Sequence, residues 1–510
     1  MSDFITLFPK KFSFIYIVRN RKFSTFPVFP AKMMQQASKN HDYEACIEAL
    51  NNLQSNAQYI KLKSASNGNY NGDQLNQVKK YLNRAGLSLD KLDELSVIHV
   101  AGTKGKGTTC AFSERILREH GYTTGFYSSP HLFEVRERIR INGKPIARAD
   151  FAKYFWKVYN ALNQTKIDDH DMPLFFRFMT IMAFMVFLEK KVDVAIIEVG
   201  IGGEYDCTNV LRKVPVIGIT SLGIDHVSLL GSTIETIAWN KAGIMKEGCK
   251  AFTVPQPGAA MSVLKKRSIE KKCQLEVVEN LHFKFPPNTT SCPPHILNLN
   301  ASLAVTLCKT WLSITYFTEH NNNLGHLMSK EITEKALFNC TWPGRFQVKH
   351  EKNISYYLDG AHTLESIIIC ANWFKDITKC SKKKKALMFN VTGDRNAEAL
   401  LRQLHRCNFN VVLFVTNSSG KSTKSDNTIS IFKSLDELME KCEQHKQLWS
   451  KLENSDDDST KTEICKVFPT AVSAIEFLTN QDNFDLLVTG SIHLIGSVLS
   501  VLDPNLNEVS

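Results

Sequence analysis

Apolar and polar positions along this chain follow two periods. Short, nearly unbroken apolar runs at 97–101 (VIHVA), 192–199 (VDVAIIEV) and 214–220 predict strands, 125–130 (GFYSSP) reads as a strand ending in a serine turn, and a second set follows at 354–358, 386–391, 411–415 and 484–489. Between them, apolar residues recur at three- and four-residue steps. Cys46, Ala49, Leu50 and Leu53 predict an amphipathic helix over 42–61, and 74–85 predicts another, stopped by Gly86. Residues 111–118, 300–312, 324–339, 364–374 and a segment from Ala397 read the same way. The most apolar run, 174–188, is too short to span a membrane and contains Arg177, so it is expected to be a buried helix. Ser232 and Glu235 have the spacing of a capping box, which predicts the start of a helix carrying Lys241. Strands alternating with helices imply an α/β fold with mostly parallel sheets and right-handed crossovers. The helix-breaking segment Trp342-Pro343-Gly344-Arg345 marks the expected domain boundary, giving domains over 41–338 and 339–510. Polar tracts at 64–73, 418–428 and 454–462 are expected loops, and no repeat of 20–50 residues is present.

Composition sharpens this picture in three ways. A chain of 510 residues with 43% hydrophobic content is too long for one core and apolar enough to fill two. Its 13 cysteines include no C-x-x-C pair, which points to free thiols in a reducing compartment, not to a disulfide framework or a structural zinc site. The net charge is +11, of which +5 lies in residues 1–34, where Lys10, Lys11, Arg19, Arg21, Lys22 and Lys32 face the single acid Asp3. A basic, acid-poor, Phe- and Ser-rich leader of this kind resembles a mitochondrial transit peptide, expected over 1–40. Met33 and Met34 stand where a second start would give a shorter cytosolic form.

The strand at 97–101 runs into Gly102, Thr103, Lys104, Gly105, Lys106, Gly107 and Thr108, then into a helix. Glycines let backbone N–H groups close on phosphates, a helix N-terminus adds positive potential, and a lysine reaches the terminal oxygens. The strict G-x-x-x-x-G-K-[ST] pattern is not met, because Val100 occupies its first glycine position and Gly107 separates Lys106 from Thr108. Glu198 closes a buried strand beside Gly200, Gly202 and Gly203, the expected place of a magnesium ligand in a nucleotide site. His226 ends the next strand. Asp359, Asp394 and Ser491 fall at strand ends of the second set, where functional groups of open α/β sheets gather. Arg136, Arg138 and Arg140 alternate in a way that would place one charged face on an extended segment over an anionic substrate.

Nine motifs in order, HVAGTKGKGTTCAF, SSPHLFEVRERIRING, EVGIGGEYDCTN, SLGIDHVSLLG, AWNKAGIMK, TWPGRFQV, YLDGAHT, NVTGDR and VTGSIHL, cover most of the chain from His99 to Leu494. Together they resemble the folylpolyglutamate synthase family, within the wider Mur ligase group. The resemblance implies an N-terminal P-loop ATPase domain, a smaller C-terminal Rossmann-like domain and an active site between them. It implies ATP on Gly102–Thr108, Asn300, Arg345 and Asp359, and magnesium on Ser129, Glu198 and His226. It implies substrate contacts from Ser128, Pro130, His131 and Ser491, and catalytic roles for Lys106, Lys241, Asp359 and His362, with Lys241 carbamylated. Ile296 and Leu297 stand where the family often has His-Gln. The implied reaction joins L-glutamate to the γ-carboxylate of a reduced folate through an acyl phosphate, with ATP, Mg²⁺ and a monovalent cation (K⁺). Expected partners are small molecules, with no nucleic acid, a monomeric state, and at most peripheral contact with the mitochondrial inner membrane. Within the same fold the alternative is dihydrofolate synthesis from dihydropteroate. A P-loop switch or nucleic-acid ATPase is the alternative from another class, and it leaves YLDGAHT and Arg345 without a role.

Overall fold

The computed structural model describes residues 42–53, 70–168, 171–286, 292–319, 328–393, 395–420, 434–455 and 462–509. The basic leader with Met33 and Met34, most of the three polar tracts, and Asp394 lie outside these residues.

Among the described residues, fourteen strands form two sheets. The first contains β1 (Val97–Ala101), β2 (Thr124–Tyr127), β3 (Ile139–Ile141), β4 (Lys144–Pro145), β5 (Val194–Glu198), β6 (Val216–Ile219), β7 (Lys250–Thr253) and β8 (Gln274–Val277), in the order β4-β3-β2-β5-β1-β6-β7-β8. It is parallel except for the β2-β3-β4 meander at one edge. β1 lies between β5 and β6, with Val100 in register with both Glu198 and Gly218. Its side chains alternate between two cores, as a strand buried on both faces requires. Val97 and Ala101 pack with the helices Arg148–Gln164 and Phe175–Glu189, while Ile98 and Val100 pack under Lys106–Glu119 and Pro294–Glu319. Helix Phe175–Glu189 covers most of the expected 174–188 run and buries ten side chains in succession from Phe178 to Phe187. Among the described residues no helix is long and apolar enough to cross a membrane.

The second sheet contains β9 (Gln347–Glu351), β10 (Ile354–Leu358), β11 (Lys384–Phe389), β12 (Val411–Val415), β13 (Ile464–Phe468) and β14 (Phe484–Thr489), ordered β13-β12-β11-β14-β10-β9. Only β9 runs antiparallel, at the edge. Tyr357, Leu387 and Phe389 enter one core and Tyr356, Ala386 and Met388 the other.

Two helices and two strands show where the structure differs from the pattern-based reading. Helix Lys106–Glu119 begins five residues before the apolar spacing does, because its first turn is polar and carries no periodicity. The helix bearing Lys241, Ile234–Ala242, is capped by Thr233, whose Oγ1 accepts from the Thr236 N–H at 3.2 Å; the Ser232/Glu235 box is not formed. Strands β9 and β13 lie at sheet edges and are only partly buried, so they lack the apolar run that marks the central strands.

Candidate active site

The carboxyl ends of both sheets open into one cleft of ≈970 Å³. Lys106, Glu198, His226, Lys241 and Asn300 line it from the first sheet, and Arg345, Asp359, His362 and Ser491 from the second. The site therefore joins residues that the chain separates by nearly 400 positions.

The glycine loop has the geometry of an anion cradle. Gly105 caps helix Lys106–Glu119 at φ 92° with no side-chain cap, so the first N–H groups of that helix point free of any capping oxygen. A Cβ at Gly105 would lie 2.2 Å from the Asn300 Oδ1, which shows how tightly Asn300 backs the loop. The Thr103 and Lys104 N–H groups both donate to the Ser221 carbonyl at 3.0 Å, tying the loop to the end of β6.

Around the cradle the charges are buried and close. Glu198 ends β5 and accepts from the Ser129 N–H at 3.2 Å. Burial pushes its carboxyl upward, opposed by Lys106 and that N–H. The Lys241 Nζ donates to the Gly102 carbonyl at 2.8 Å, and burial, aided by Lys106, brings its amine down to about 7. Burial also holds His226 down at about 4, against the pull of Asp225. His226 sits in the left-handed region at φ 53° and starts a short helical turn. Asp359 is buried and pushed upward by burial, opposed by Arg345 and by the N–H groups of Phe346 and Ala361, each at 3.0 Å.

Asp225 was not singled out from the sequence, yet it is the hub between the two sheets. Its Oδ2 lies 3.5 Å from the Lys104 Nζ, 3.7 Å from the His362 Nε2 and 4.0 Å from the His226 Nε2. Burial alone would raise its pKa, but the nearby His362 ring and Lys104 hold it far below the usual carboxylate range. It lies six residues past the end of β6, in the turn that leads into His226. Arg395 and His493 also line the cleft.

The segment 128–140 is placed differently from an arginine face over substrate. Ser129, Pro130 and Arg138 reach the cleft, whereas Ser128 and His131 line a smaller adjoining pocket beside Glu198. The three arginines point to separate partners. Arg136 donates to Glu134 at 2.7 Å, Arg138 donates to His131 at 2.9 Å and lies over the Phe175 ring, and Arg140 lies over Trp342. Lys384, in the basic run 382–385, is turned to Glu463 and Asp482.

The remaining wall is apolar on both flanks. Phe175, Phe176, Tyr205, Leu229 and Leu230 lie on one side, and Phe285, Ile296, Leu297, Phe338 and Trp342 on the other.

Comparison with known proteins gives concordant findings. Residues 344–501 match the family model described as dihydrofolate synthetase, C-terminal domain. The mitochondrial folylpolyglutamate synthase of Bos taurus is 37% identical over 92% of this chain and 93% of its own length. A crystal structure of folylpolyglutamate synthase from Thermotoga maritima superposes with a TM-score of 0.64 at 26% identity, covering 84% of this chain and 93% of that one. E. coli FolC in complex with DHPP and ADP shares the fold with a TM-score of 0.66 at 22% identity, covering 91% and 98%.

Proposed function

The chain belongs to the folylpolyglutamate synthase family of ATP-dependent folate–glutamate ligases, and from that premise we propose how this cleft joins L-glutamate to the γ-carboxylate of a reduced folate. The observation that carries the reading is the shared cleft, in which Lys106 and Glu198 from the first sheet face Asp359 and His362 from the second.

A carboxylate is a poor acyl donor because its leaving group would be oxide. Transfer of the ATP γ-phosphoryl group to the folate carboxylate gives an acyl phosphate, whose phosphate leaves when the glutamate amine attacks. Lys106 and the uncapped N–H groups after Gly105 are placed to hold the phosphate oxygens and stabilise charge in transfer. Arg345 and Asp359 would meet the nucleotide from the second domain. The apolar flank of Ile296, Leu297 and Trp342, near Asn300, suits the base; that of Phe175 and Phe176 suits the pteridine. Ser491, Arg395 and His493 line the remaining polar end, which suits the carboxylates of the incoming amino acid.

The residues fit a magnesium ion. Among the described residues no three His, Cys, Asp or Glu side chains form a preassembled cage. A single buried carboxylate with a hydroxyl and water is the kind of site magnesium uses when phosphates complete its shell. Glu198, with Ser129 and neutral His226, would hold it, and when bound it supplies positive charge to the phosphate oxygens. Lys241, brought down to about 7, presents enough neutral amine at physiological pH to take up CO₂, and the resulting carbamate would add an anion beside the loop. A requirement for K⁺ rests on the family resemblance.

The test is product analysis with the full chain. Tetrahydrofolate, ATP, magnesium and glutamate are expected to give a mass ladder spaced by one glutamyl unit. The match of 344–501 to dihydrofolate synthetase makes dihydropteroate the control acceptor. Efficient ligation to dihydropteroate with none to tetrahydrofolate would reject the reading. The basic leader and the mitochondrial relatives support a mitochondrial enzyme, with a second, cytosolic form begun at Met33 or Met34. Import of a fusion bearing residues 1–40, and its loss from one starting at Met34, would check this.

A further inference from the structure

Loop 129–138 abuts Glu198 from one side and is gripped by the second domain from the other. Glu137 organises it internally, accepting the N–H groups of Leu132 at 2.8 Å, Phe133 at 3.2 Å and Glu134 at 2.8 Å. Glu134 accepts from Arg136 and from Arg148. Both carboxylates are buried, and both turn toward one group near the other end of the chain. The Asn507 Nδ2 donates to the Glu134 Oε2 at 2.9 Å and to the Glu137 Oε1 at 3.0 Å. Ionised carboxylates only accept, so the amide of Asn507 is fixed with its nitrogen toward the loop and both its protons in use.

A second contact points the same way. Helix Ile492–Leu502 of the second domain carries Gly496 against the Leu132 carbonyl, so closely that a Cβ there would lie 1.9 Å from that oxygen. The Leu132 side chain itself packs into the core of the second domain. No residue larger than glycine permits that approach without displacing the loop.

We propose that Asn507 and Gly496 are positioning residues. They latch loop 129–138 of the first domain to the second, so that the loop carrying Ser129 takes its working shape only when the two domains are docked. The inference rests on the function proposed above, because it is the folate- and metal-facing loop that is latched. Nucleotide held by the glycine loop does not depend on the latch. Folate and the chemical step do.

The test compares the full-length wild type with Asn507→Ala, Asn507→Asp and the milder Asn507→Ser, which keeps one donor. Two readouts are used: kcat/KM for tetrahydrofolate beside KM for ATP, and site-resolved tryptic cleavage after Arg136 and Arg138. The expected result for Asn507→Ala is a ~10-fold or greater loss in kcat/KM for folate, with the KM for ATP changed less than about two-fold, on the scale of a misplaced substrate-positioning group. New cleavage within the loop should accompany it. Asn507→Asp should be worse, since a third carboxylate would face the other two, and Asn507→Ser should fall between wild type and Asn507→Ala. Wild-type kinetics and an uncut loop in Asn507→Ala would overturn the proposal. So would a proportional loss with both substrates that tracks a lowered Tm without loop-selective cleavage, which is what a merely structural contact gives. Cleavage is read without turnover, so failure of the latch is distinguishable from failure of the ligase assignment, which would show as absence of the ladder in wild type.

Discussion

At the scale of single residues, burial decides the chemistry. Lys106 and Glu198 are the pair on which phosphoryl transfer is proposed to depend. Lys106→Ala and Glu198→Ala are each expected to lower kcat by about 10²–10³, the size of effect seen for a single preorganised electrostatic group; unchanged turnover in either variant, measured by ADP release, would remove that residue from the site. Lys241 makes a second prediction. Its amine is brought down to about 7 by burial and by Lys106, so ¹³C-bicarbonate should give a carbamate carbon signal that Lys241→Arg lacks. Lys106 and Glu198 were legible in the sequence because Glu198 ends a strand at a glycine turn and Lys106 opens a helix just after one, patterns contained in a dozen residues. Asp225 was not, because nothing local distinguishes it. Its role comes from Lys104 and His362, 121 residues before it and 137 after.

Among the elements, the central strands and the apolar helix were readable because burial on both faces or all around leaves an unbroken apolar run. The first turn of helix Lys106–Glu119 was hidden, since the cradle needs Gly107 and Thr108 where a core-facing helix would place apolar residues. β1 carries a further consequence. His99 is fully buried, and Thr208 already donates its hydroxyl to Asp206 at 2.6 Å. Thr208 must therefore accept from the His99 Nε2–H at 2.8 Å, which leaves Nδ1 bare and without a hydrogen-bond partner. Burial holds this ring down at about 3, below its unfolded value of 6.5. The unfolded chain then binds the proton first, so stability present above pH 6.5 is lost as pH falls from there toward 3, on the order of 1.4 kcal/mol per pH unit from this group. Chemical denaturation of His99→Gln should show a shallower loss between pH 6.5 and 4.5 than wild type. An identical pH slope in the two proteins would show that the ring does not govern acid lability.

Over the whole molecule, the fold class and the two-sheet plan follow from the order of strands and helices, but the way the halves meet does not. Asn507 and Glu134 are 373 residues apart, and no periodicity in either segment announces the contact. The meeting of the halves is what an acyl phosphate requires, because water reaching it would hydrolyse it before glutamate arrives. The contact that crosses the cleft beside the cradle is Asp225 with His362, at 3.7 Å, and Lys104 supports it from the loop. Asp225→Asn keeps the shape and removes the charge that draws His362 across. If this contact holds the cleft shut during the lifetime of the intermediate, the variant should still phosphorylate folate but should lose part of the product to water. The ratio of ADP released to glutamyl bonds formed, near one in wild type, is then expected to rise several-fold at saturating glutamate, with ADP release itself falling less than ligation. A variant that slows both equally and keeps the ratio at one would mean that the charge tunes the rate without guarding the intermediate, and the exclusion of water would have to be assigned to other contacts between the two domains.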